Sequence, residues 1–446
     1  SGLLDVSPLR KLLAEAIKFR NTTVATEYWI AQNGFEGVID RLTPENLNVN
    51  GLNSIFYHRY LLPQLNKILN PLHQMPETER AYLSRMVTFV MKEQLISKVG
   101  AREGVSSCHA DLWNMPLGEK IETGNIFTGL TIADKQASTE FSGFDIITLD
   151  IQPQQTQNFL PNFRRGDMIY LYAYEPKNEP DVRKSILFKG TLQEIIPERI
   201  IIKLNDGQQN ADLISGDCFA IEHASSDISG TTALRGLYTF ITTPAERRKL
   251  LFGMREPQAD NNVQLSKTYS ADYDNIILRA RQSKDYFLLI GPPGTGKTSQ
   301  ALQFLVSEHL DGNILLMAYT NRAVDEICVM LSTSGFDYIR LGNPLSCDPQ
   351  FAPHLISEIV EKQPNLSAIK QLIADTRIIV GTTSTVGARD YLFKIKHFDL
   401  AIVDEASQIL EPNIIGLLAA HQDGECQIRK FILIGDYKQL PAVVQQ

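Results

Sequence analysis

Residues Gly291–Thr298 read GPPGTGKT, directly after the apolar run Tyr286–Ile290 and directly before Ser299–Leu305. A buried strand, a glycine turn and a helix N-terminus in that order make a phosphate-binding loop. Gly291, Gly294 and Gly296 let the backbone bend so that successive N–H groups face one anion, and the helix behind adds its positive dipole end. Pro292, Pro293, Thr295 and Ser299 complete the expected nucleotide contacts. Lys297 is placed to reach the β- and γ-phosphates, and the Thr298 hydroxyl to ligate Mg²⁺.

Four further strands carry chemistry at their ends. Asp399–Val403 runs into Asp404–Glu405–Ala406–Ser407–Gln408. Carboxylates at the C-terminal end of a parallel strand lie where open α/β sheets bind ligands. Asp404 is read as holding Mg²⁺ together with Thr298, and Glu405 as polarising the attacking water. Lys430–Ile434 leads into Gly435–Asp436–Tyr437–Lys438–Gln439, which puts Gln439 near the γ-phosphate. Asn313–Ala318 is followed by Tyr319, Thr320 and Asn321, and Arg377–Val380 by Gly381, Thr382 and Thr383. Small hydroxyl and amide groups at strand ends suit contacts to a nucleic-acid backbone. Helix capping by the same residues is the alternative.

Taken together, GPPGTGKT, AYTNRAVDEI, YIRLGN (Tyr338–Asn343), GTTSTVG, FDLAIVDEASQI and IGDYKQLPAVV resemble the first RecA-like domain of superfamily 1 helicases. The forms are similar to the branch holding the nonsense-mediated-decay RNA helicase and the eukaryotic DNA-replication nuclease-helicase. Lys284–Thr298 and Phe398–Ile409 lean toward the latter. The firm likeness runs from near Asp272 to the end. It implies ATP and Mg²⁺ as cofactors, single-stranded nucleic acid as the track with DNA favoured, and 5′→3′ movement. The family's adenine-reading Gln, some 17–18 residues before the loop, has no counterpart in Ser270–Asn275, which leaves base selectivity open. The family's second RecA-like domain, with its arginine fingers, has no counterpart before Gln446. With Ser1–Gly2 read as a cloning scar, the expectation is a piece of a longer protein.

A length of 446 residues allows about three domains. The resemblance and the hydrophobic periods divide them. Residues 1–107 are expected to be helical, with stripes at Leu9, Leu12, Leu13 and Ile17 and at Leu62, Leu65, Ile68 and Leu69, and a helix from Pro76–Glu77 to Lys98. Over 108–228 the period falls to two from about Ile126, and short strands such as Met168–Tyr172, Ser185–Leu192 and Arg199–Leu204 predict a small antiparallel β-barrel. Residues 229–265 are expected as stalk and linker helices, and 266–446 as an α/β RecA-like domain on a parallel sheet. Two basic clusters, Phe163–Asp167 and Glu246–Lys249, are open to nucleic-acid contact or to a solvated face, the latter favoured. The relatives' nuclease needs an E-x-K strand. The sole E-x-K is Glu175–Pro176–Lys177, and proline fits a metal-binding strand poorly.

Composition sets limits on function. No run reaches the ~18 apolar residues of a membrane span. The five scattered cysteines lack a CxxC pair, which reads as free thiols in a cytoplasmic or other reducing intracellular compartment rather than a metal site. A net charge of −8 permits only a local basic groove. The sequence thus reads as part of an ATP-dependent helicase or translocase. An RNA or RNA–protein remodeller is the alternative enzyme. A nucleotide-dependent switch or scaffold is the alternative class, disfavoured by Glu405 and Gln439. A second RecA-like domain and an upstream nuclease domain are the expected intramolecular partners, and no membrane is.

Overall fold

The computed structural model describes residues 23–48, 51–100, 108–138, 143–152, 160–208, 216–224, 228–292, 296, 300–436, 438 and 442–444. Two compact units emerge: Ser1–Asn33, Met91–Asp227 and Gln445–Gln446 in one, Gly34–Val90 and Ile228–Val444 in the other.

The first unit is built on six strands: β1 (Ile126–Gln136), β2 (Phe144–Asp150), β3 (Met168–Ala173), β4 (Phe188–Ile196), β5 (Arg199–Gln208) and β6 (Phe219–His223). They close in the order β1-β2-β5-β4-β3-β6, antiparallel throughout. Closure leaves no strand edge to be covered. The alternate residues that set the period of two fill the interior, among them Phe127, Leu130, Ile147, Leu171, Ile202 and Phe219. Pro197–Glu198 forms the turn of the β4–β5 hairpin, where Ile196 pairs with Arg199. β4 starts at Phe188 rather than Ser185. The Ser185 hydroxyl instead donates to Asp181 O at 3.0 Å, and the Lys184 N–H to the same carbonyl at 3.1 Å, which holds that stretch in a turn. Beside the barrel core, Lys120 Nζ lies 2.6 Å from Glu222 Oε2, and the Tyr172 hydroxyl donates to Glu222 Oε1 at 2.6 Å. Burial, then the Glu222 charge, pushes the Tyr172 phenol far above its ordinary range.

The second unit is organised by a six-stranded parallel sheet. Its strands are β7 (Tyr286–Ile290), β8 (Ile314–Ala318), β9 (Tyr338–Arg340), β10 (Ile378–Thr382), β11 (Phe398–Val403) and, after a small β12–β13 ribbon (His421–Gln422 and Glu425–Cys426), β14 (Ile428–Gly435). The order is β7-β14-β11-β8-β10-β9. β8 and β10 are buried at every position, as strands covered on both faces must be. β7 departs from the buried strand that its apolar run suggests. It lies at the end of the strand order, and Leu288 and Ile290 are 54% and 61% exposed. Its apolar character comes from sequence alone, whereas its place in the order is a tertiary outcome.

The expectation of one helical block over 1–107 meets a division. Residues 34–90 group with the parallel sheet. The Tyr82 ring packs edge-on to Phe240 and Phe252 at 5.4 and 5.2 Å, and its hydroxyl donates to Glu411 Oε1 at 2.7 Å. Tyr238 OH donates to Ile68 O at 2.9 Å.

The cluster Glu246–Lys249 divides: Glu246 and Lys249 are exposed and paired at 2.8 Å, whereas the two arginines are engaged within the unit. Arg247 is buried, its Nη2 donates to Arg429 O at 3.0 Å, and its guanidinium lies 5.7 Å from the Phe431 ring. Arg248 pairs with Glu79 at 2.9 Å. These arginines fasten the helix Ala245–Leu251 to β14 and to the N-terminal helices of the same unit. In the other cluster Arg164 and Arg165 are exposed, while Phe163 is buried and stacks on His223 at 4.1 Å.

Two helices that flank the sheet, Ile228–Thr242 and Glu411–Leu418, touch backbone to backbone. A Cβ on Gly416 would stand 2.2 Å from Gly236 Cα, whereas one on Gly236 would meet Gly416 Cα at 3.3 Å. Gly416→Ala must therefore part the helices and is expected to lower stability by about 1–3 kcal/mol. Gly236→Ala should cost less. Thermal melts of the two variants check the order.

His309 is buried, and its Nδ1–H donates to Leu305 O at 2.7 Å. Burial, and then the nearby Lys430 charge, pulls its imidazolium down to about 4. Lys430, buried with its ammonium donating to Ala280 O, is itself lowered to about 8, chiefly by burial. Between the ordinary histidine value near 6.5 and the folded value, the unfolded chain binds a proton that the folded chain does not. The stability contributed by neutral His309 is therefore complete above about pH 6.5 and is lost as pH falls toward 4. Urea melts should show a loss of roughly 2 kcal/mol between pH 6.5 and 5, at 1.4 kcal/mol per pH unit, which His309→Gln removes.

Candidate nucleotide site

An all-parallel sheet sends every strand out at the same edge, and the described candidate residues lie on it. β7, β14 and β11 are neighbours in that order, so their exits are spaced by about 4.8 Å per strand. The Gly291 N–H donates to Gly435 O at 3.2 Å, which ties the start of the glycine loop to the end of β14. Gly296 has φ +74°, a left-handed conformation that a side chain would strain. A Cβ there would also stand 2.9 Å from the Tyr273 hydroxyl and 3.1 Å from Gln300 Oε1. The Gln300 and Ala301 amides close on Gly296 O at 2.8 and 3.1 Å, turning the loop into the helix Leu302–Glu308. Of the predicted nucleotide contacts, Gly291, Pro292 and Gly296 are described. Pro293, Gly294, Thr295, Lys297, Thr298 and Ser299 lie outside the described residues, as does Gln439.

Asp404 follows β11, is 3% exposed, and its N–H donates to Met317 O at 2.8 Å, extending the ladder with β8. Asp404 Oδ1 accepts the Glu405 N–H at 2.9 Å. Glu405 itself sits at φ 53°, ψ 32°, one of two non-glycine residues with positive φ among the described residues. A non-glycine side chain held there costs of order 1–3 kcal/mol and persists only where its surroundings dictate it. This kink ends the ladder after Asp404 and lets the chain turn at once into Ala406–Gln408.

The predicted nucleic-acid residues also occupy this edge. Thr320 follows β8 and caps the helix Asn321–Thr333, its hydroxyl accepting the Ala323 N–H at 3.1 Å. Tyr319 is 43% exposed. Thr382 caps the short helix Thr383–Gly387 through the Thr385 N–H at 3.1 Å. Thr382 and Thr383 are 6% and 1% exposed, so their side chains serve the fold as seen here.

The roles of four residues around the site escaped the sequence reading. Tyr273 abuts Gly296 while its ring packs edge-on to Phe304 at 5.6 Å. Ser407 and Asp436 link β11 to β14, the Asp436 N–H donating to Ser407 Oγ at 3.3 Å. No spacing rule pairs Ser407 with Asp436, since their contact exists only because two strands distant in sequence are neighbours. Arg340 at the end of β9 is buried and ion-paired with Asp325 of the helix Asn321–Thr333. Their motif membership was visible, but the pairing was not. Among the described residues no group of three or more His, Cys, Asp or Glu side chains could hold a metal alone. Mg²⁺ ions that act with nucleotides take one or two carboxylates together with phosphate and water ligands. Asp404 is the described residue placed to contribute one.

A glycine loop, a strand-end carboxylate pair and a parallel sheet define a P-loop nucleotide-binding class of domain. The AAA-domain family profile matches residues 268–371 and 361–446. More particularly, the chain is similar to the DNA replication ATP-dependent helicase/nuclease DNA2 of Mus musculus, 26% identical over 389 residues, which is 82% of this chain and 35% of the relative. It is also similar to the DNA replication ATP-dependent helicase/nuclease JHS1 of Arabidopsis thaliana, 30% identical over 218 residues, 46% of this chain and 16% of the relative. The arterivirus nonstructural protein 10 helicase, solved with DNA, aligns over 64% of this chain and 48% of its own at 12% identity and a TM-score of 0.29, too slight a likeness to bear on the fold. The superfamily 1 branch that the motifs resemble is thus the one in which the sequence relatives fall. The chain spans about a third or less of the length of these curated relatives.

Proposed function

We propose that this chain is the nucleotide-binding motor portion of an ATP-dependent helicase or translocase, coupling Mg²⁺-ATP hydrolysis to movement on single-stranded nucleic acid. The observation that carries the reading is the convergence of Gly291, Gly435–Asp436 and Asp404–Glu405 at the adjacent ends of β7, β14 and β11. A phosphate loop beside a buried strand-end aspartate is the arrangement that phosphoryl transfer needs. Lys297 contributes a charge-assisted contact to the β/γ-phosphates, and Thr298 with Asp404 holds Mg²⁺. Glu405 orients the water, and Gln439 reports on the γ-phosphate. The bound metal neutralises charge developing on the phosphates.

Tyr319, Thr320, Asn321, Thr382 and Thr383 form the edge along which the track runs, with the exposed Tyr319 and Thr320 side chains available to phosphates and the buried Thr382 and Thr383 shaping the edge from within. The similarity to DNA replication ATP-dependent helicase/nucleases supports DNA over RNA. Movement 5′→3′ and an upstream nuclease are supported by the resemblance. A reducing intracellular location accords with five scattered cysteines that lack a CxxC pair.

Lys297→Ala is expected to abolish Mg²⁺-ATP binding, because the ammonium contact is lost. Unchanged affinity by calorimetry would overturn the assignment. Glu405→Gln should keep ATP binding and slow hydrolysis at least about 100-fold, since the amide preserves shape but not the charge that orients water. Single-turnover hydrolysis within threefold of the unaltered protein contradicts the role given to Glu405.

A further inference from the structure

Away from the strand-end edge, the second unit carries an exposed aromatic face. It lies on the helical segment that begins after Ser54, whose Oγ accepts the Tyr57 N–H at 3.1 Å. Tyr57–Leu61 forms a single π-type turn that runs into the helix Leu62–His73. The inner side is seated in the unit: Tyr57, Leu69 and Leu72 are buried, and the Ile68 carbonyl accepts the Tyr238 hydroxyl at 2.9 Å. On the outer side Ile55 is 83% exposed, Phe56 59% and Tyr60 49%. The Phe56 and Tyr60 rings lie 5.4 Å apart, and the Arg59 guanidinium stands 5.5 Å from the Tyr60 ring centroid. Two exposed rings beside an exposed isoleucine mark a binding face rather than a solvated one.

Charge indicates what covers this face. The chain holds 51 acidic residues, yet none falls between Glu45 and Glu77, a stretch that includes His58, Arg59, Lys67 and His73. Arg59 and Lys67 are exposed and form no ion pair among the described residues. An apolar protein partner does not require carboxylates to be excluded over a whole helix, whereas a polyanion does. Single-stranded nucleic acid brings both features at once: phosphates for the cations and unpaired bases for the rings. The π turn beneath the rings agrees, since such turns are rare and recur at functional sites.

We propose that Phe56, Arg59 and Tyr60 form a stacking site for single-stranded nucleic acid, separate from the edge at Tyr319 and Thr320. The proposal rests on the reading above for its class of partner alone. Each exposed ring offers a face to a base, and Arg59, set over Tyr60, keeps N–H groups for a phosphate. Lys67, about 12 Å further along the helix at 1.5 Å per residue, meets a later phosphate. None of these groups reads a base edge, so the site is tolerant of sequence.

The test is fluorescence anisotropy of a labelled oligothymidylate of about 20 nucleotides on this chain, at low salt and without ATP. Phe56→Ala combined with Tyr60→Ala should weaken binding at least about tenfold, as the loss of base stacking does. Phe56→Tyr with Tyr60→Phe keeps both rings and should stay within twofold. Arg59→Ala should weaken binding and lower the slope of log affinity against log salt by about 0.7. Unchanged affinity in the double alanine variant, with Tyr319→Ala losing binding, would overturn the proposal and leave the strand-end edge as the site. Unchanged affinity together with lost self-association, by light scattering, would overturn it too and give the face to a second copy of this chain. If the double alanine variant does not fold, crosslinking decides. An iododeoxyuridine oligonucleotide irradiated on the unaltered protein must mark Phe56 or Tyr60, and marks confined to other segments overturn the proposal. No binding by the unaltered protein at about 100 μM would instead defeat the nucleic-acid reading itself, and this site with it.

Discussion

Parallel pairing of β7, β14, β11, β8, β10 and β9 is the constraint from which the rest of the second unit follows. Parallel strands all run the same way, so each releases its chain at one edge. The glycine loop, the carboxylates, the capping threonines and Asp436 are scattered over about 150 residues of sequence. They meet because each is the first thing its strand does on leaving the sheet. The arrangement requires strands covered on both faces, and β8 and β10 meet that requirement with uninterrupted apolar or small residues.

Once the edge exists, tight exits decide what it can do. Asp404 extends the ladder by one hydrogen bond and is held buried at the strand end. Glu405 then breaks the ladder by entering the left-handed region, a conformation that its surroundings must impose. Beyond the end of β7, Gly296 takes the same backbone region without the cost, as glycine can. Chemistry and strain therefore fall on the same few residues, while the strands behind them remain regular.

The barrel of the first unit solves a different problem. Antiparallel strands of this length would leave two edges, and closure through β1 and β6 removes both. Its interior is apolar, but at one wall it carries Lys120, Glu222 and Tyr172 in a buried cluster. Desolvating that pair of charges is costly, and the Tyr172 hydroxyl helps to satisfy the carboxylate that remains. Removing any one partner would leave the others buried without compensation.

Much of this was legible from the residues alone. The strand Tyr286–Ile290, the helix starting at Glu77 and the hairpin across Pro197–Glu198 are local objects, set by period, turn chemistry and capping. The carboxylates at the end of β11 were visible for the same reason. What the sequence could not determine were pairings between residues far apart in the chain. These include Ser407 with Asp436, Tyr273 with Gly296, Arg247 with the β14 backbone, Gly236 with Gly416, and residues 34–90 joined to the sheet rather than to a separate helical block. Such contacts depend on strand order and helix crossing, which only the folded chain fixes. A local pattern carries the conformation of its own residues, whereas the neighbour that each side chain meets is set by the global minimum of packing.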